Sequence, residues 1–317
     1  MNSLNGQTKP FLHDAMFYHS TPGFLAGAMR FIRHGLSSGS AVLVAVAPRK
    51  IDLLRSELGP KWPRVRFVDM DKAGRNPTRI IAEVLYAFAD EHTGQRVAIV
   101  GEPIWPGRTD DEYVTAVQHE ALINIAFAHR PVEIICPYDL DGLDSRAIRD
   151  AMRSHPTLRS EGGTRWDSCL YADPTTLARE CLKSLPEPAS APETLVFSDG
   201  ALDSVRHLVA AVARRAHLRP DLVTDLRLAV NEVATNTVAH TDGPGILRVW
   251  HEHDEVVCEV RDAGHISDPL VGRHPVPTDA DSGRGLVLVN KICHLVQIDR
   301  GAVTTTIRLH MHLASAA

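Results

Sequence analysis

In the stretch LAVNEVATNTVAH, Glu232, Asn236 and His240 recur every fourth residue. On a helix that spacing stacks all three along one face, while Leu228, Val230, Val233 and Val238 supply packing. A carboxylate, an amide and an imidazole on one stripe can hold a hydrated Mg²⁺, an ion that takes oxygen ligands and keeps several waters beside substrate phosphates. The amide oxygen of Asn236 can ligate directly, and Glu232 can accept a proton from a water or a substrate hydroxyl. The same spacing also describes a polar helix face turned to solvent, so the stripe alone does not decide.

Two downstream segments add to it. VRDAG (260–264) puts Asp262 at a strand end, followed by Gly264. A carboxylate there can accept the exocyclic amine of adenine, which neither Lys nor Arg could do. SGRGLVLVN (282–290) places Gly283, Arg284 and Gly285 immediately before an apolar helix. Glycines let the backbone approach phosphate closely, and the free N–H groups of a helix start favour negative charge. Each piece alone is weak, because glycine-rich turns before helices often serve only as turns. Together and in this order they are specific.

The elements that must position these residues change character along the chain. Between 41 and 153, the apolar runs AVLVAVA (41–47), VRFVDM (65–70), RVAIVGE (96–102) and VEIICPYD (132–139) alternate with helical stretches near 49–58, 77–92 and 110–128. Pro48 and Pro77 open the first two, at a position where the missing N–H costs nothing. Continuous apolar strands separated by helices imply an α/β domain with a mainly parallel sheet covered on both faces. SLPEPASAPET (184–194) reads as a Pro-stiffened linker. Beyond it come a strand, TLVFS, two long helices, and ILRVWHEHDEVVCEVRDAG, whose alternating polarity predicts a hairpin turning at Glu252–Glu255. A Pro-rich loop (267–282), a helix near 285–294 and a last strand follow, the order of an α+β sandwich.

From these residues the C-terminal part, 195–313, resembles the GHKL ATPase superfamily and within it the anti-sigma-factor serine kinases. ExxxNxxxH is similar to their N box, DAG to the first glycine box, GRGLVLV to the second, and TTTIRL to the strand bordering the adenine pocket. The resemblance implies a Bergerat sandwich that binds ATP with Mg²⁺. Asn236 would ligate the metal, Glu232 would be the base, and His240 would close the stripe. Asp262, beside Gly264, would hold adenine together with Thr305, while Gly283, Arg284 and Gly285 would sit on the phosphates. The first glycine box usually reads DxGxG, but here Ile266 occupies the last position, and a β-branched residue bends less freely than Gly. The lid is short and stiffened by Pro269, Pro275 and Pro277. Histidine kinases share this module but also need a phosphoacceptor His upstream. His207 lies on the correct side, yet its neighbourhood lacks the acidic residue next to the His and the later Pro.

The N-terminal part, 11–183, has no GxxxxGK[ST], so a phosphate-cradling loop of that kind is absent. HDAMFY (13–18), GRNPTRI (74–80), GEPIWPGR (101–108), HEALINIAF (119–127) and CPYD (136–139) resemble the MEDS sensory domain, a RecA-like α/β module. That implies an input role, answering a small molecule or a protein. Strand ends at Glu102, Trp105 and Cys136–Asp139 are expected to line a pocket, since ligands of open α/β sheets bind beyond the carboxyl ends of strands. His13, His119, Glu120 and Cys136 are metal-ligating types. However, a His–Glu pair at i, i+1 faces two directions on a helix, and the ligand spacing of a metal site is missing, so none is expected.

Composition bounds the rest. A net charge of −5 and a pI near 6.4 give no basic footprint for nucleic acid, and the 34 Lys and Arg form no block suited to an anionic membrane. Five widely spaced cysteines read as free thiols in a reducing cytoplasm. Neither a signal peptide nor a run of ~20 apolar residues is visible. The expectation is a cytoplasmic signalling regulator: a sensory domain controlling an ATP-dependent serine/threonine kinase. Its implied partners are an anti-sigma-factor antagonist as substrate and a sigma factor as a further candidate, with homodimerisation left open. The alternatives are a non-catalytic ATP-binding module that sequesters a partner, and an orphan sensor histidine kinase.

Overall fold

The computed structural model describes residues 11–183, 185–274, 284–301 and 303–313. The chain divides into two compact units, one of residues 1–74 and 83–177, the other of residues 75–82 and 178–317.

The first unit is built on a seven-stranded sheet. Its elements are β1 (Leu12–Tyr18), α1 (Ser20–Ser37), β2 (Ala41–Val46), α2 (Pro48–Leu58), β3 (Val65–Asp69), β4 (Val97–Gly101), α3 (Asp110–Ala126), β5 (Val132–Asp139), α4 (Ser145–Ser154), β6 (Thr157–Ser160) and β7 (Arg165–Asp167). The strand order is β3-β2-β4-β5-β1-β6-β7. Every pairing is parallel except that of β6 with β7. Successive residues of β4 are buried whichever way they point, so both faces of the sheet are covered, as its unbroken apolar run requires. Pro48 opens α2. A capping box opens α3: Glu112 N–H donates to Thr109 Oγ1 and Thr109 N–H to Glu112 Oε2, each at 3.2 Å. The helical stretch expected near 77–92 runs as Pro77–Arg79, a wide π-helical segment Ile80–Tyr86, and Ala87–Glu91.

The second unit carries β8 (Glu193–Phe197), α5 (Leu202–Arg215), α6 (Pro220–His240), β9 (Gly245–Glu252), β10 (Glu255–Asp262), α7 (Arg284–Ile292), β11 (Leu295–Arg300) and β12 (Thr305–His312). Its five strands form an antiparallel sheet in the order β11-β12-β10-β9-β8. The hairpin between β9 and β10 closes with Glu252 opposite Glu255, and His253 takes φ +50° in the two-residue turn. Alternate residues divide the faces. Leu247, Val249, Val256, Cys258, Val260, Ile307, Leu309 and Met311 join the core with Leu226, Val230 and Val233 of α6. Each such side chain contributes roughly 1.5–3 kcal/mol by leaving water. The opposite face buries charge: Glu259 accepts from Arg308 Nη2 at 2.7 Å and from Arg248 Nε at 2.9 Å.

Residues 185–190, read from sequence as linker, lie over that charged face. The Pro186 carbonyl accepts from Arg308 at 2.7 Å, Glu187 pairs with Arg248 at 2.7 Å, and Ser190 Oγ donates to the His251 carbonyl at 3.1 Å. This stretch is therefore anchored to the second unit. Among the described residues, no helix is long and apolar enough to cross a membrane.

Candidate nucleotide-binding site

The stripe on α6 forms because its buried residues, Val223, Leu226, Val230, Val233 and Thr237, recur at helical spacing and face the sheet. That leaves Glu232, Asn236 and His240 on the flank. Pro220 opens the helix at a favoured position, and Thr241 ends it. A cavity of about 360 Å³ lies beside this flank, lined by Asn236, His240, Asp262, Gly264, Gly285 and Thr305 among others. Six of the residues singled out in the sequence thus meet around one space.

Asp262, at the end of β10, is held from two sides. Thr237 Oγ1 donates to its Oδ2 at 2.6 Å, and the Gly264 N–H to its Oδ1 at 2.8 Å. Each oxygen keeps a lone pair, so the carboxylate is fixed and can still accept an amine from the cavity. Thr305 Oγ1 donates to the Gly264 carbonyl at 2.9 Å, which makes it a brace for the DAG turn as well as part of the wall. Gly264 has no room for a side chain: a Cβ would lie 2.8 Å from Thr241 Cγ2 and 2.9 Å from Asp262 Oδ1.

Gly285, in the first turn of α7, sits against α6. A Cβ there would lie 3.1 Å from Glu232 Oε2 and 3.6 Å from Asn236 Nδ2. The stripe therefore faces the start of a helix, where unpaired N–H groups attract phosphate. Glu232 is beside that helix start but does not line the cavity. Arg284 is exposed at the first position of α7. Gly283, Pro275, Pro277 and the lid beyond residue 274 lie outside the described residues. Of the rest of the lid, Val271 packs on the core and lines the cavity, and so does Ile266, whose φ is not positive. Ile266 thus supplies an apolar wall where a first glycine box has Gly.

Thr237 and Thr241 were not singled out in the sequence. The signal was present for Thr237: it occupies the buried stripe of α6, where a hydroxyl needs a partner. Asn290 was missed as well. Its Nδ2 donates to the Gly272 carbonyl at 2.8 Å, its Oδ1 accepts from Thr78 Oγ1 at 2.9 Å, and its carbonyl accepts from Asn76 Nδ2 at 2.9 Å. Residues 75–82 count with the second unit, so this junction is internal to it. His207 is an exposed residue of α5 whose Nδ1 lies 2.7 Å from the Asp203 carbonyl.

Other expectations for the first unit resolve differently. Glu102 is buried and taken up by Lys50, which also donates to Tyr18 Oη at 2.8 Å. Burial foremost, opposed by Lys50, leaves the Glu102 carboxyl above its usual range. Trp105 lies under the Arg108 guanidinium, 3.6 Å from ring centre to Cζ. Cys136 lies 3.4 Å from His13 Nε2.

Two family models match. Residues 12–156 match MEDS, the MEthanogen/methylotroph, DcmR Sensory domain. Residues 197–311 match the histidine kinase-like ATPase domain. The chain is a MEDS domain followed by a histidine kinase-like ATPase domain. The second match, over 115 of the 317 residues, is to an ATPase domain. Asn76 and Thr78, which bond to Asn290 of the ATPase domain, come from the stretch matched as MEDS.

Solved structures similar to this chain include the RsbU and RsbW domains of Rv1364c from Mycobacterium tuberculosis, at 16% identity and a TM-score of 0.32, covering 67% of this chain and 51% of that one. The histidine kinase AdeS of Acinetobacter baumannii matches at 12% identity and a TM-score of 0.24, covering 40% and 70%. The MEDS–ATPase chain thus spans about half the length of the Mycobacterium chain. No curated protein matches it significantly.

Proposed function

We propose that the chain is an ATP-dependent serine/threonine protein kinase of the anti-sigma-factor type, controlled by its MEDS domain. The observation that carries this reading is the facing of Glu232 and Asn236 onto Gly285 at the start of α7, next to the cavity that Asp262 walls. Asp262 accepts the adenine amine, and the N-terminus of α7 with Arg284 receives the phosphates. The Gly285 cradle, which a Cβ would fill, leaves room beside the Asn236 amide, so these residues fit a hydrated Mg²⁺. When bound, that ion neutralises triphosphate charge. Glu232 takes the proton from a substrate serine hydroxyl as it approaches the terminal phosphate.

The proposed substrate is an anti-sigma-factor antagonist, with a sigma factor as the partner released or captured in exchange. A phosphoserine adds nearly two negative charges and three acceptor oxygens, enough to break a docking surface. Control by the MEDS domain is supported by Asn290, which joins residues 76 and 78 to Gly272 at the base of the lid. An input that shifts residues 75–82 would reach the lid by a route that includes the Asn290 side chain. Packing of Ile266 against the core favours the second reading, a module that binds ATP and sequesters its partner without phosphotransfer.

Full-length protein incubated with native lysate and γ-labelled ATP separates the readings. The kinase reading expects acid-stable phosphoserine or phosphothreonine on a retained protein. Glu232→Gln should lower it by about 10²–10⁴-fold while ATP binding persists. ATP-dependent retention without transfer supports sequestration, and acid-labile phosphate on the chain itself overturns both.

A further inference from the structure

A second group of chemistry-bearing side chains lies in the first unit, outside anything the nucleotide site uses. His13 on β1, Glu120 in the middle of α3, Cys136 on β5 and His155 at the end of α4 converge, and their ligand atoms all lie within 4.8 Å of one another. Four elements distant in sequence contribute one residue each. All four residues are at most 1% exposed. His119 is also buried, but it is not one of the four.

The protonation pattern of the cluster is fixed from outside it. The Asn124 amide donates through Nδ2 to the Ser154 carbonyl at 2.8 Å, which orients its Oδ1 toward His13 Nδ1 at 3.1 Å. Oδ1 can only accept, so Nδ1 of His13 carries the hydrogen and Nε2 turns a lone pair inward. Nδ1 of His155 lies 2.8 Å from the Ala151 carbonyl, with the same consequence for its Nε2. Between these two lone pairs sits Glu120. Its Oε2 is 3.1 Å from Nε2 of His13 and 3.0 Å from Nε2 of His155. Both oxygens of Glu120 and Nε2 of His155 nevertheless have no hydrogen-bond partner. A buried box with a carboxylate, two imidazole lone pairs and a thiol lacks positive charge.

We propose that His13, Glu120, Cys136 and His155 form a closed, four-ligand site for a divalent cation of the Zn²⁺ class. Two imidazoles, one thiolate and one carboxylate suit borderline-soft Zn²⁺. Bond lengths of about 2.0–2.3 Å place tetrahedral ligand atoms roughly 3.3–3.8 Å apart, inside the 4.8 Å span of the set. Binding releases the Cys136 thiol proton and leaves its sulfur as thiolate. Four protein ligands leave no open position for a reacting molecule, so the ion ties β1, β5, α3 and α4 together. The Asn124 amide and the Ala151 carbonyl are the outer partners that orient the imidazoles.

The test uses full-length protein purified without chelator. Elemental analysis should find about one Zn²⁺ per chain, expected from this four-ligand set. After stripping, Co²⁺ should restore binding and give tetrahedral visible bands with a thiolate-to-cobalt charge-transfer band. Cys136→Ser should remove the charge-transfer band, whereas His119→Gln should keep it. Asn124→Ala, a positioning change outside the ligand set, should weaken Zn²⁺ binding by about 10–100-fold. Folded wild-type protein that takes up neither Zn²⁺ nor Co²⁺ would overturn the assignment. So would a charge-transfer band unchanged in Cys136→Ser.

Discussion

Glu120 in the first unit and Asp262 in the second are both carboxylates set between a helix and a sheet, yet their oxygens meet opposite surroundings. Asp262 receives a hydroxyl and a backbone N–H and opens onto a cavity. Glu120 is sealed among two imidazole nitrogens and the Cys136 thiol, with no strong donor facing it. A carboxylate already satisfied by neutral donors is stable alone and free to read a neutral base. One buried without donors is costly unless a cation joins it. The contrast separates a recognition group from a ligand, although both are acidic side chains beside a helix.

Glu120→Gln should give the largest effect on stability. If a cation is bound, removing one charged ligand from a buried ionic set should cost about 3–5 kcal/mol, read from denaturant unfolding of the full chain. Were Glu120 an orphaned anion with no cation, neutralising it should be neutral or stabilising, and that outcome would break the comparison. Asp262→Asn should instead leave stability nearly unchanged while weakening ATP binding by about 1.5–3 kcal/mol, the scale of a hydrogen bond to a charged group. Equal loss for ATP and GTP would contradict Asp262 as the base reader. Thr237→Val keeps the shape of the side chain but removes one of the two donors to Asp262. It should weaken ATP binding by about 1–2 kcal/mol, measured by calorimetry, through loss of orientation alone. An unchanged affinity would mean that the Gly264 N–H suffices to hold the carboxylate.

The two regions also differ in how far the sequence exposes them. Four apolar runs announce β2 to β5, and alternating polarity places the β9–β10 turn, because strand burial leaves a period along the chain. The cavity-lining Asn236 and His240, with Glu232 beside them, were readable because local spacing brings all three onto one helix face. Glycine-rich turns mark the loops that approach them. The buried cluster has no such signature. His13, Glu120, Cys136 and His155 come from four elements and meet only through the sheet order β5-β1-β6, which no local pattern encodes. His119 and Glu120 read together as a poor ligand pair, and the structure uses only the second. Helix α1 was also hidden, since Gly23, Gly27 and Gly35 look like breaks. They serve packing instead: a Cβ at Gly27 would lie 2.5 Å from Met16 Sδ. Thr237 was legible only as a polar residue in an apolar stripe, and its partner Asp262 arrives from a strand 25 residues later.

The claim on which the rest depends is that α6 and the start of α7 form an Mg-ATP site. Isothermal calorimetry of full-length protein, wild type against Asn236→Ala, with and without Mg²⁺, addresses it directly. The account predicts Mg²⁺-dependent ATP binding in the wild type and its loss in Asn236→Ala, because the variant removes a direct oxygen ligand and leaves triphosphate charge poorly neutralised. Wild-type affinity in Asn236→Ala would contradict the site.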